Sequence, residues 1–193
     1  MTTKTRTLTR TLFADLLATY TPFDEDEVFH LQQFRQFLSE TGNAYDRSNL
    51  LGHIVADAWI VNPQRDQVVL LEHPLNNTWL APGGHCDGNP DVFASAVREA
   101  EEETGLTELK PLLGGDIYDL NVHPIPIHEK DGQMIPAHLH LGACFAFEAP
   151  HNAPLTISEE SNKLAWVPIA KIKEFNYLPS HTRRITKTHA RLL

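Results

Sequence analysis

The sequence predicts an α/β or α+β domain with mixed strand order, preceded by a helical extension. Three observations lead there. Over the first fifty positions apolar residues recur at helical spacing, with Leu12, Phe13, Leu16, Leu17 and Tyr20 in one run and Val28, Leu31, Phe34, Phe37 and Leu38 in the next. From His53 onward the texture changes to short, partly alternating apolar runs bounded by turn residues. A punctuated helix between Asn89 and Gly105 then separates these runs into two groups, unlike the regular alternation of a parallel βαβ series.

Taken in order, the two N-terminal helices are divided at Thr21-Pro22. Asp24, Glu25, Asp26 and Glu27 suit the first turn of the second helix and Gly42 suits its end. This places a helical extension at residues 1–49 and the main domain at 50–193. The apolar faces of an isolated helical pair must pack on the main domain or across a homodimer. "HIVADAWIV" and "QVVLLEH", separated by the turn cluster "NPQRD", read as a hairpin. "TWLAPGG" reads as a further short strand ending in a Pro-Gly-Gly turn, and "GGDIYDLNVHPIPI", "AHLHLGACFAFEA" and "KLAWVPI" read as later strands. A short helix is expected at "AKIKEF" and a basic helix at "HTRRITKTHARLL".

The chain of 193 residues carries a formal charge of −9, which argues against a general nucleic-acid surface or an anionic membrane as partner. No apolar run reaches the length of a membrane span. The N-terminal "MTTKTRTLTR" is followed by an amphipathic segment carrying Asp15, where a signal peptide would need an unbroken apolar stretch. A cytoplasmic, reduced protein is expected, with Cys86 and Cys144 as free thiols.

The chemistry concentrates in "GGHCDGNPDVFASAVREAEEETGL". Asn89 is expected to cap the helix with Pro90 in its first position, and Gly105 to close it in the left-handed conformation. Phe93, Ala96, Val97, Ala100 and Thr104 gather on one face, while Glu99, Glu102 and Glu103 share an adjoining arc roughly 100° wide and Glu101 falls on the other flank. As a solvated surface this arc is unfavourable. Each like-charge pair costs about 0.2–0.5 kcal/mol, and negative charge opposes the dipole at a helix C-terminus. A divalent cation removes both objections, because hard carboxylate oxygens suit Mg²⁺ or Mn²⁺.

This segment resembles the Nudix box, G-x5-E-x7-R-E-U-x-E-E-x-G-U with U bulky and apolar. Gly84, Arg98, Glu99, Glu102, Glu103, Gly105 and Leu106 match at the required spacing; Ala100 matches loosely, and Pro90 stands where the first glutamate belongs. "WLAPGGH" and "SEESNKLAWVPI" also resemble the family, and the likeness runs from about Leu51 to Phe175. The resemblance implies an α/β/α sandwich around a mixed sheet, and metal-dependent hydrolysis of a nucleoside diphosphate linked to another moiety. It implies Glu99, Glu102 and Glu103 as ligands of Mg²⁺ or Mn²⁺, with the Gly83 carbonyl as a further ligand and Arg98 holding the glutamates. A general base is sought among Glu102, Glu159 and Glu160. The expected partner is a small nucleotide or diphosphate substrate.

Eleven histidines is a high number, and His85, His123, His128, His138 and His140 fall near the box or in the strands after it. His138 and His140 share one face of a strand. They read either as a second metal site and phosphate contacts or as ordinary sheet histidines, with His85 the best substrate contact because it follows the Gly-Gly turn. Trp79 reads equally as a base-stacking ring or as core. Two further functions compete with hydrolysis. An isopentenyl-diphosphate-isomerase-like enzyme would use Cys86, and a regulatory domain would bind nucleotide without turnover. The sequence leaves the substrate open.

Overall fold

A computed structural model describes residues 12–73, 77–130, 132–150, 153–158 and 161–192. The N-terminal pair forms as α1 (Phe13–Thr19) and α2 (Glu25–Glu40), the second capped by the Asp24 side chain, which accepts from the Glu27 backbone N–H at 2.8 Å. Then follow β1 (Gly52–Val61), β2 (Gln67–Glu72), β3 (Trp79–Leu80), β4 (Gly83–His85), α3 (Val92–Thr104), β5 (Lys110–Pro111) and β6 (Ile117–Ile125). A small hairpin, β7 (His128–Lys130) and β8 (Gln133–Ile135), was not anticipated. The chain ends with β9 (His138–Glu148), β10 (Lys163–Pro168), a 3-10 turn at Ile169–Glu174 and α4 (Pro179–Arg191).

At the centre of the sheet β1 lies parallel to β9, from Gly52 opposite Leu139 to Val61 opposite Glu148. All the other pairings of this sheet are antiparallel: β2 and β4 on β1, β10 and β3 on β2, β5 and β6 on β9. Period-two alternation sends successive side chains of the two central strands into different layers. Ile54, Ala56, Ala58 and Ile60 pack with Leu141, Ala143, Phe145 and Phe147 beneath α3 and the N-terminal helices, whose Phe13, Leu17, Leu31 and Phe34 enter the same cluster. Trp59, Val61, Cys144 and Ala146 face the other way, beneath the 3-10 turn and α4. The result is an α/β/α sandwich around a mixed sheet. No helix among the described residues is long and apolar enough to cross a membrane.

Two local expectations are corrected. The short strand in "TWLAPGG" forms as Trp79 and Leu80 on β2, but the Pro-Gly-Gly segment is not a turn: after Pro82 the chain moves to β1 as strand β4, with the Pro82 carbonyl accepting from Ala58 N–H at 2.8 Å. Proline has no N–H to continue the first ladder, so the pairing changes there. The box helix also starts later than expected. Asn89 is occupied in the preceding turn, donating its N–H to the Cys86 carbonyl at 2.9 Å and accepting from Asp91 N–H at 3.0 Å. Asp91 therefore caps the helix, accepting from Ala94 N–H at 3.0 Å, and Pro90 lies outside it. Gly105 closes the helix as expected, with φ 71°.

At the β6 edge the two helical layers are joined by buried charges. Lys187 of α4 donates to Glu27 of α2 at 2.5 Å, to Asp119 of β6 at 2.8 Å, to the Tyr118 carbonyl at 2.9 Å and to the Tyr20 hydroxyl at 3.0 Å. Asp119 also accepts from Arg183 at 2.7 Å and from Arg184 at 3.3 Å, and Arg184 reaches Asp57 of β1 at 2.5 Å. Three carboxylates thus meet three cations. Burial opposes the charge on Asp119, but Arg184, Lys187 and Arg183 outweigh it and hold its pKa at about 2.

Breaking such a network leaves an uncompensated buried charge. Lys187→Met should cost about 3–5 kcal/mol in urea unfolding, and the Glu27→Gln/Lys187→Met double variant should recover about 1–3 kcal/mol relative to the sum of the singles. A small cost for Lys187→Met would show that the network does not hold the layers together. For Asp119 the folded pKa lies below the ordinary 3.8, so its contribution is complete above that pH and fades as pH falls toward about 2. The stability gap between wild type and Asp119→Asn should accordingly narrow by about 2 kcal/mol between pH 5 and pH 2, measurable by denaturant unfolding at each pH.

Candidate functional site

Strand β4 is the platform of the site. Its three residues pair with β1, Gly83 opposite Asp57, Gly84 opposite Ala56 and His85 opposite Val55, while α3 carries the glutamates across it. Glu103 accepts the Gly83 N–H at 2.8 Å. Arg98 donates to the His85 carbonyl at 2.8 Å, to Glu99 at 2.8 Å and to Glu102 at 2.9 Å. One guanidinium therefore ties a strand carbonyl to two carboxylates, a use for which its planar fork of donors suits it.

The two glycines are required for different reasons. A Cβ on Gly83 would lie 2.6 Å from the Ala56 carbonyl and 2.9 Å from the Asp57 Cα, so the β1–β4 approach itself demands glycine. The three atoms nearest to a Cβ on Gly84 all belong to the Glu99 carboxyl group, its carbon 2.5 Å away, so a side chain there first displaces a functional group rather than backbone.

The three glutamates differ in exposure. The Glu99 side chain is 14% exposed and that of Glu102 59%. Burial raises the pKa of Glu99, Arg98 lowers it in part, and the Glu102 and Asp87 charges raise it further. Burial likewise opposes the charge of Arg98, but Glu99 and Glu102 outweigh it and its pKa is raised. A partly buried carboxylate among like charges fits a cation, and three carboxylates are a hard-oxygen set suited to Mg²⁺ or Mn²⁺. Among the described residues, the group whose ligand atoms stand at ion-binding spacing is a histidine trio, while Glu102 is engaged by Arg98 and Glu103 by the Gly83 N–H.

That trio is His53, His85 and His140, whose ring nitrogens all lie within 4.8 Å of one another. The parallel register sets His53 directly opposite His140. Their ring centroids are 4.8 Å apart, and His85 lies 4.9 Å from His53 and 5.3 Å from His140. His138 adjoins both, 5.1 Å from each, and His123 lies 5.6 Å from His140. His128, on the small hairpin, reaches only His138, at 6.1 Å. Burial pushes the His140 pKa down to about 2, with His53, His85, His123 and His138 adding to the effect. His85, His138 and His140 were singled out in the sequence, whereas His53 was missed. It sits on the first strand, and the β1–β9 and β1–β4 pairings bring it to the others.

Other expectations resolve differently. Trp79 is buried against Phe175, edge to face at 5.0 Å, so its ring is a core element rather than a stacking platform. Glu159 and Glu160 lie outside the described residues. Cys86 and Cys144 are free and buried, and burial pushes the Cys86 thiol up to about 12, which keeps it protonated and poorly nucleophilic. The loop around Pro90 is held from the N-terminal side instead: Gly88 N–H donates to the Tyr45 carbonyl at 2.9 Å, and Arg47 pairs with Asp87 at 2.6 Å.

Comparison with known proteins agrees with this architecture. The NUDIX domain family model matches residues 51–188. An uncharacterized Nudix hydrolase of Bacillus subtilis (strain 168), YvcI, is 31% identical over 115 residues, 59% of this chain and 66% of the relative. A probable DHNTP pyrophosphohydrolase of Lactococcus lactis subsp. cremoris (strain MG1363) is 30% identical over 76 residues, 39% of this chain and 44% of that protein. The chain thus spans just under two thirds of one curated relative and less than half of the other. Among solved structures, a C. elegans Ap4A hydrolase binary complex superposes with a TM-score of 0.54 at 17% identity, covering 72% of this chain and 96% of that one, a likeness of fold. With the family model spanning most of its length and the box helix built on the β4 platform, this chain belongs to the Nudix family.

Proposed function

We propose that the protein is a metal-dependent hydrolase that cleaves the pyrophosphate bond of a nucleoside diphosphate linked to another moiety. The observation that carries the reading is the single guanidinium of Arg98 set against Glu99 and Glu102, with Glu103 anchored on the Gly83 N–H beside them. This arc holds more negative charge than its own cation neutralises. The YvcI relative is named a Nudix hydrolase and the L. lactis protein a probable DHNTP pyrophosphohydrolase, which supports the same reaction class.

Glu99, Glu102 and Glu103 would hold Mg²⁺ or Mn²⁺, with the Gly83 carbonyl as a further ligand. When bound, the ion would neutralise phosphate oxygens, which otherwise repel an incoming water. Glu102, the more exposed partner of Arg98, would take the proton of the attacking water, and Glu160 is the second candidate for that role. Arg98 keeps Glu99 and Glu102 from splaying and fixes them to the strand through the His85 carbonyl. His85, His138 and His140 enter the reading as groups near the substrate phosphates, and a cytoplasmic setting and a homodimer remain part of it. The buried Cys86 thiol disfavours the isomerase chemistry.

The test is a hydrolysis panel of nucleotide-sugars, dinucleotides, nucleoside triphosphates and diphosphate cofactors with Mg²⁺ and Mn²⁺. Turnover should depend on metal and fall by roughly 10²–10³-fold in Glu103→Gln, the several kcal/mol such ions supply. Glu101→Gln, on the other flank of the helix, should stay within about twofold, since it makes no transition-state contact. Tight nucleotide binding without turnover across the panel would replace this reading with the regulatory one. Gly84→Ala gives a second check. By displacing the Glu99 carboxyl it should lower turnover by more than about tenfold with a stability change below about 1 kcal/mol. Gly83→Ala, which collides with backbone, should lower stability itself by more than about 1 kcal/mol in urea unfolding.

A further inference from the structure

We propose that His53, His85 and His140 form a binding site for a divalent transition-metal ion of the Zn²⁺ class, separate from the carboxylate arc, with His138 as its fourth ligand. The placement is rigid. His53 comes from β1, His140 and His138 from β9, and His85 from β4, three hydrogen-bonded neighbours of one sheet. The three ring donors lie within 4.8 Å of one another. Tetrahedral Zn–N bonds of about 2.0–2.1 Å put ligand nitrogens about 3.4 Å apart, so small ring rotations close the set.

Two observations point to a ligand rather than to ordinary sheet histidines. His53 is 3% exposed, and neither of its ring nitrogens has a hydrogen-bond partner. The Asn49 backbone acts on the ring without meeting hydrogen-bond geometry. Buried polar groups are rarely left so, because an unmade hydrogen bond costs about 1–3 kcal/mol. The second observation is the setting of His138. Its Nδ1 lies 2.9 Å from the Pro136 carbonyl, a contact that only an Nδ1–H can satisfy and that leaves Nε2 as the ring's ligand atom. A ligating histidine characteristically donates its second ring N–H to a carbonyl in this way. That Nε2 sits 3.3 Å from the Nε2 of His140, close to the spacing two imidazoles adopt on one tetrahedral ion of about 3.4 Å.

The donor chemistry selects the ion. Neutral imidazoles suit Zn²⁺, Cu²⁺ and Ni²⁺ rather than Mg²⁺, which takes oxygen ligands. The two sites are therefore separable by metal as well as by residue, although both use β4: its Gly83 N–H and His85 carbonyl face the glutamate system, and its His85 side chain joins the histidines.

The experiment titrates chelator-stripped full-length protein with Co²⁺ in excess Mg²⁺, reading the visible d–d absorption of a tetrahedral site, followed by Zn²⁺ displacement. One equivalent should bind per chain, with unchanged affinity in Glu103→Gln. In His140→Gln and His53→Asn, each checked for native circular dichroism, affinity should fall by more than about tenfold, since even outer partners of metal ligands are worth 10–100-fold. Should either variant misfold, ring ¹⁵N shifts of wild type on adding Zn²⁺ decide the matter, and they should move for these four histidines together. Absence of Co²⁺ binding under excess Mg²⁺ overturns the site. So does binding that survives in both folded histidine variants, or binding lost in Glu103→Gln, and none of these outcomes depends on whether the protein hydrolyses a pyrophosphate.

Discussion

Lys187 is the point at which this structure is tied together. Its ammonium group is fully buried, and it reaches Glu27 in the N-terminal layer, Asp119 on the edge strand and the Tyr118 carbonyl from a helix of the opposite layer. A buried charge is tolerated only when paired and fully hydrogen-bonded. The Glu27 carboxylate meets that condition through Lys187, the Tyr20 hydroxyl and the backbone N–H groups of Phe23 and Leu120. These partners come from far-apart stretches of chain, so none is satisfied until the helices dock on the sheet. The N-terminal helices thereby share the core of the Nudix domain rather than hanging from it.

The same network leads toward the chemistry. Arg184 links Asp119 to Asp57, and Asp57 lies opposite Gly83, the residue whose N–H fixes Glu103. From the other side, Tyr45 and Arg47 hold the loop leading into the box helix. Support for the glutamates is therefore tertiary on both flanks. The loop that carries Pro90 is held by the Asn89 side chain, the Tyr45 carbonyl and Arg47. Short strand β4 gains its importance from this position, carrying the anchor of the glutamate arc on its backbone and a member of the histidine cluster on its side chain.

What the sequence determined by itself is local or periodic. The box glutamates, Arg98, the left-handed Gly105 and the amphipathic helices were legible because helix geometry converts spacing into direction without any other part of the chain. Helix starts were less so: Asn89 and Asp91 are both competent caps, and a turn hydrogen bond to Cys86 decided between them. What only the tertiary structure decided is which distant residues meet. Glu27 read as a first-turn acid and the C-terminal segment as a basic helix, and both proved to be halves of one buried ion network. Trp79 became core because Phe175 covers it, and His53 joined the later histidines through a parallel pairing of strands separated by most of the domain. No periodicity records such a pairing, because strand register between distant segments is set by the global packing that buries both of their faces.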